Sequence, residues 1–156
     1  MSTKPSNPKD LIGCNKLPLH LWPETATVYG CIAMLDGALK YGRSNYRAVG
    51  VKASIYVDAA KRHLNAWLEG EENAPDNGVP HLAHALACVA ILIEAKVKGN
   101  LVDDRMFASN YHALVEEMTK MVPHLKELHK DKDPKHYTIG DSNDQNLSER
   151  PDGRTA

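Results

Sequence analysis

Three short stretches of this 156-residue chain hold residue types that do chemistry at spacings that let them act together. The first is Lys40-Tyr41-Gly42-Arg43-Ser44-Asn45-Tyr46-Arg47, with Lys52 just beyond it. Phosphates are held by ammonium charges and guanidinium forks, and nucleobases by aromatic faces, so the ingredients of a nucleotide site are present. The same residues also suit an ordinary helix end, where basic side chains offset the dipole and a glycine caps. The second stretch is Asp58, Arg62 and His63. Asp58 and Arg62 are spaced for an ion pair along one helix. His63 falls on a different face from Asp58, so one metal ion would reach both only if the helix bent or other helices supplied ligands between them. The third stretch is His81-Leu82-Ala83-His84, which places two imidazoles on one helix face, as metal sites in bundles require. It follows an acidic loop with Glu69, Glu71, Glu72 and Asp76. A divalent ion or a phosphate could sit where loop and helix start meet. Equally, the two histidines could serve only as hydrogen-bonding groups at a buried helix start.

Other polar residues have simpler readings. Glu94 is spaced to pair with Lys98, and Asp103, Asp104 and Arg105 read as a polar connector. His124, His129 and His136 are widely spaced and read as exposed, and Cys88 lies in an apolar run and reads as core. No GxxxxGK[ST] phosphate loop, GxSxG elbow or HExxH motif occurs.

The elements that must position these residues follow from periodicity and breakers. Pro5, Pro8, Pro18 and Pro23, with Gly13, forbid a long helix before residue 23, which predicts an extended arm over 1–22 pinned by Leu17, Leu19, Leu21 and Trp22. A helix from about Pro23 to Gly42 buries Val28, Cys31, Ile32, Leu35 and Leu39. A second runs from about Val51 to Leu68 with Tyr56, Ala60, Leu64 and Trp67 as its stripe. A third, opened by Pro80 and closed near Lys98 and Gly99, is apolar nearly all round from Leu82 to Ile93, the pattern of a central buried helix. After a connector at 99–109, a fourth carries Tyr111, Leu114, Val115, Met118 and Val122, and Pro123 should kink or break it. From 132 to 156 apolar residues almost vanish, which predicts a flexible polar tail. No strand pairs are expected. The fold class is all-α: a helical bundle of four to five helices over 23–131, with the arm before it and the tail after it.

Composition narrows the function. Lys plus Arg number 19 against 20 Asp plus Glu, a balance unlike that of proteins that coat extended nucleic acid. It leaves room for a nucleotide pocket, which needs only local cations. Three cysteines, Cys14, Cys31 and Cys88, support neither a disulfide framework nor a zinc knuckle. The longest apolar run, Ala85–Ile93, is about half the ~20 residues of a membrane span, and the N-terminus lacks a signal-peptide core. These features predict a soluble, cytoplasmic chain. Pairing with a second copy would bury more of the central helix, so a homo-oligomer is expected.

In order along the chain come Asn7-Pro8-Lys9-Asp10, Gly13, Lys16, Pro18-Leu19-His20, Gly37-Ala38, Lys40-Tyr41-Gly42 and Asn45-Tyr46-Arg47. Ala53-Ser54, Tyr56, Asp58, Arg62-His63-Leu64, Gly70-Glu71, His81-Leu82-Ala83-His84 and Ala87-Cys88 follow. Over residues 7–96 this run resembles the phage and prophage family labelled dATP/dGTP diphosphohydrolase, N-terminal domain. The resemblance implies a phage nucleotide-pool protein, a pyrophosphohydrolase that splits a purine dNTP into dNMP and pyrophosphate with a divalent metal, magnesium or manganese. Related all-α pyrophosphohydrolases of the MazG kind hold magnesium with ExxE and ExxD carboxylates on facing helices, and this sequence has neither pair on a predicted helix. In an enzyme of this class Lys9, Lys40, Asn45, Arg47 and Lys52 would bind substrate, and Tyr41 or Tyr46 would lie against the base. Asp58, Glu71 and His63 would be the catalytic candidates, and Asp58, Glu71, His81 and His84 the metal candidates. A non-catalytic reading fits the cations and tyrosines equally: a nucleotide-binding sponge for a signalling nucleotide, or a regulatory module.

Overall fold

The computed structural model describes residues 7–143. They divide into two compact units, with the boundary between Arg105 and Met106. The fold is all-α. In the first unit the long helices are α2 (Glu24–Tyr41), α4 (Ala53–Leu68) and α5 (His81–Lys98), preceded by a short α1 (Pro8–Gly13) and with α3 (Asn45–Ala48) between α2 and α4. α5 is the central element and packs against both α2 and α4.

The N-terminal stretch is less extended than its prolines predict. Pro8 occupies the first turn of α1, where its missing N–H is no loss, and the Asn7 side chain caps the helix by accepting from the Lys9 amide at 3.0 Å. A single 3-10 turn follows at Leu19–Leu21. The expected apolar anchors Leu17, Leu19 and Leu21 are exposed. The tie to α2 is polar instead: Trp22 Nε1 donates to Thr27 Oγ1 at 2.9 Å. Residues 1–6 of the predicted arm lie outside the described residues.

α2 ends at Gly42, whose φ of 90° is a conformation that side chains with a Cβ rarely adopt. This sharp exit turns the chain back as the 42–47 segment. Asn100 then clamps that segment, its Nδ2 donating to the carbonyls of Tyr46 at 2.6 Å and Val49 at 2.8 Å. Beside the clamp, β1 (Val51–Lys52) pairs in parallel with β2 (Leu101–Val102), Val51 opposite Leu101. Periodicity reads this two-residue pair as helix and connector, because so short a ladder leaves no alternating pattern. The connector also caps a helix. Asp104 accepts from the Ser54 amide at 2.8 Å and from Ser54 Oγ at 2.6 Å, satisfying the start of α4 from 50 residues away.

The core is built from small residues. Ala33, Ala53, Ala60, Ala83, Ala85, Ala87 and Ala95 are buried, with Ala83 and Ala95 wholly inaccessible. Ala33, Val79, Ala83 and Ala87 form one cluster, with Met34 against it. On α2, Gly30 and Ala33 face α5, and a Cβ at Gly30 would stand 3.4 Å from the Leu86 side chain, in ordinary van der Waals contact. The stripes read as core from the sequence, Val28, Ile32, Leu35 and Leu39 on α2 with Leu64 and Trp67 on α4, are exposed instead. α2 is apolar on two faces, and packing of its backbone against α5 selects the face with the smaller side chains.

In the second unit the predicted fourth helix is two, α6 (Tyr111–Thr119) and α7 (Met121–Leu128). The break falls at Lys120, ahead of Pro123, so the proline sits in the first turn of α7, where neither its missing N–H nor its ring opposes the helix. A 3-10 turn at Ile139–Asn143 follows, with Asp141 accepting from the Thr138 amide at 2.7 Å. The remainder of the expected tail, 144–156, lies outside the described residues. Among the described residues no helix is long and apolar enough to cross a membrane.

Candidate functional site

Within the first unit α2, α4 and α5, with the 42–47 segment and the loop before α5, enclose a cavity of about 1020 Å³. Its walls all lie between Cys31 and Ile91. That is the size of a pocket for a nucleotide-sized ligand.

α2 contributes Asp36 and Lys40, one turn apart and bonded at 2.8 Å. Lys40 Nζ is also 3.9 Å from the Asp76 carboxylate, contributed by the loop before α5. The Asp36 hydrogen bond, followed by the charges of Asp36 and Asp76, pushes the Lys40 ammonium above its ordinary value. Asn77 closes the set. Its Nδ2 donates to Asp36 Oδ2 at 3.2 Å and lies 3.2 Å from His84 Nε2, while its Oδ1 accepts from the Val79 amide at 2.9 Å. The Asn77 amide thus ties α2, the loop and α5 together at one corner of the cavity.

Across that corner stand three imidazoles. His63 of α4 stacks on His84 with ring centroids 4.6 Å apart and planes 18° from parallel. His63 Nδ1 lies 2.9 Å from His81 Nδ1. His81 is buried, and its Nε2 has no hydrogen-bond partner, although a Glu71 carboxylate oxygen stands 3.5 Å away. Burial, then the neighbouring His84, His81 and Arg62, lowers the pKa of His63 against a smaller opposing pull from Asp76. His84 is also lowered, by burial first and then by Lys40 and His81, with Asp36 and Asp76 pulling the other way. Both rings therefore favour the neutral form. Nearby, burial raises the pKa of the Cys88 thiol and of the Tyr56 phenol.

Of the residues singled out in the sequence, Lys40, Tyr41, Asn45, Tyr46, Arg47, His63 and His84 line the cavity. Arg47 spends its Nε on Glu94 at 2.8 Å, so Glu94 holds the 42–47 segment against α5 in place of the expected pairing with Lys98. Lys9 on α1 and Lys52 on β1 are exposed and do not line the cavity. Asp58 is exposed on α4, also outside it, and makes no ion pair with Arg62. Glu71 and His81 stand one ring behind the wall, reaching the cavity only through His63. Asp58, Glu71, His81 and His84 do not converge. Among the described residues no group of three or more His, Cys, Asp or Glu side chains is placed to hold a metal ion. The stacked His63 and His84 rings present parallel edges rather than converging lone pairs, so a resident histidine-bound metal does not fit here.

Sequence reasoning missed Asp36 and Asn77 as wall residues and read Asp76 only as part of the acidic loop, while Arg43 came with the 40–47 stretch. Asp36 had a signal in its spacing of four from Lys40. The partnership of Asp76 and Asn77 with α2 is long-range and had none.

The family described as dATP/dGTP diphosphohydrolase, N-terminal, matches residues 6–105, the span that ends where the first compact unit ends. The chain belongs to this family. A protein of Salmonella phage PMBT28 named dATP/dGTP diphosphohydrolase is 26% identical over 108 residues, covering 69% of this chain and 37% of that protein. The chain therefore spans little more than a third of that curated relative's length. No solved structure matches the chain. The dATP/dGTP diphosphohydrolase N-terminal match contains α1 to β2 and every wall of the cavity, and it leaves out α6 and α7.

Proposed function

We propose that this chain binds a purine deoxynucleoside triphosphate in the α2–α4–α5 cavity and hydrolyses it to dNMP and pyrophosphate. One observation carries the reading: a single cavity is lined by the cations and tyrosines of 40–47 together with His63, His84 and the carboxylates of Asp36 and Asp76. Lys40, Arg43 and Arg47 suit the phosphates, Tyr41 or Tyr46 the base, and Asn45 the sugar or a phosphate oxygen. The name of the phage relative, dATP/dGTP diphosphohydrolase, supports the substrate class. In this reading the divalent ion, magnesium or manganese, arrives on the triphosphate as part of the substrate. The protein acts in the cytoplasm of the host cell, on the nucleotide pool.

A second reading, a non-catalytic nucleotide-binding module, is favoured by one feature: Lys40 and Arg47 are already paired with Asp36 and Glu94. Incubation with each dNTP and magnesium or manganese, with products resolved by phosphorus NMR, separates the two. dNMP plus pyrophosphate is expected. A nucleotide that binds and returns intact under every metal replaces hydrolysis with the second reading. We further propose a homo-oligomer seated on the exposed Val28, Ile32, Leu35 and Leu39 of α2, whose 4-3-4 spacing is that of a coiled-coil seam. Light scattering on the same preparation checks it, and a monomer excludes it.

A further inference from the structure

The geometry points to a Glu71–His81–His63 relay that fixes the tautomer of His63 and leaves its Nε2 as the base for the attacking water. This rests on the hydrolase reading and names how the site would do its chemistry. The argument begins with the 2.9 Å contact between the two Nδ1 atoms. A neutral imidazole has one N–H and one lone pair, so one of these nitrogens donates and the other accepts. If His81 donated, its own Nε2 would be a bare lone pair, buried, with no partner except a carboxylate oxygen 3.5 Å away. Two acceptors would then face each other out of water. If His63 donates instead, His81 Nε2 carries the proton and points it at Glu71. The side chain of Glu71 is 61% exposed and free to swing the few tenths of an ångström that align the bond. With both rings neutral, this arrangement satisfies every buried atom of the pair and the reverse one does not.

The consequence lies on the other side of the His63 ring. With Nδ1 holding its proton, Nε2 is the lone pair, on a ring that lines the cavity. His84 stacked on its face holds the ring plane. In the reaction the water oxygen forms a bond to the α-phosphorus and the bond from that phosphorus to the bridging oxygen breaks. Pyrophosphate leaves, and the water proton passes to His63 Nε2. The resulting imidazolium keeps its Nδ1–H on His81, whose Nε2–H rests on the Glu71 carboxylate, the same division of labour as in hydrolases with a carboxylate-oriented histidine base. His63 is the catalytic residue, and His81 and Glu71 are positioning residues.

Nitrogen NMR on the full chain labelled with ¹⁵N-histidine reads the tautomer directly, without turnover. His63 is expected with its proton on Nδ1. Glu71→Ala removes the acceptor and moves the proton of the pair toward His63 Nε2, with kcat down about a hundredfold, KM unchanged and helical circular dichroism intact. Glu71→Gln, which keeps an acceptor oxygen, restores the tautomer and part of kcat. His63 protonated on Nε2 in the wild type, or a tautomer indifferent to Glu71→Ala, overturns the relay even if the enzyme is active. The expected tautomer in a wild type that turns over no dNTP overturns the role of His63 as base and the hydrolase reading with it.

Discussion

Lys40 stands between two carboxylates, 2.8 Å from Asp36 and 3.9 Å from Asp76, and its ammonium keeps a further N–H to offer a phosphate. A charge-assisted contact of this kind adds to affinity, against the one net negative charge that two carboxylates and one ammonium leave at that corner. Lys40→Ala is expected to weaken nucleotide binding about tenfold by titration calorimetry, with helical circular dichroism unchanged. An unchanged affinity would place the phosphates elsewhere in the cavity. The cationic character of 40–47 was legible in the sequence because the residues are contiguous. Asp36 was legible only as a partner for Lys40 one turn on, and Asp76 was not, because its role depends on a loop 40 residues beyond Asp36 folding back over α2.

At the scale of elements, α2 has two apolar faces, one of Gly30, Ala33 and Met34 and one of Val28, Ile32, Leu35 and Leu39. Hydrophobic periodicity favours the larger side chains, and the packing chose the smaller ones. Packing of α2 on α5 is what lets Asn77 bridge Asp36 and His84, and bulky residues between the helices would open that corner. Ala83 lies in the α2–α5 cluster with no accessible surface. Ala83→Leu is expected to cost about 1–3 kcal/mol by urea unfolding and to weaken nucleotide binding as well. A variant as stable as the wild type would mean that the helices can separate without penalty.

At the scale of the molecule, the histidines tie stability to pH. His63 and His84 have folded-state pKa values below the unfolded value near 6.5. Above that value both are neutral in either state and stability is full. As pH falls through it the unfolded chain takes up protons first, so stability declines until the folded-state values are passed. Burial sets the direction for both rings, with Lys40, Arg62 and His81 adding to it and Asp36 and Asp76 opposing. Thermal melts are expected to give a lower Tm at about pH 5 than at about pH 7.5, and His63→Gln should flatten that difference. A difference of the same size in that variant would assign it to other groups.

The all-α class, the long helices α2, α4 and α5, and the family were legible in the sequence by itself. Periodicity, prolines, Gly42 and Gly99 are local codes that the chain reads within a few turns. The sequence also marked Lys40 to Arg47, His63 and His84, which the cavity does collect. Only the tertiary structure decided which helix faces meet, that Asp58 and Lys52 stand apart, that Glu94 holds Arg47, and that Glu71 reaches the cavity through two histidines. Each of these turns on a contact between residues distant in the chain, set by how closely backbones can approach, and no local pattern records it.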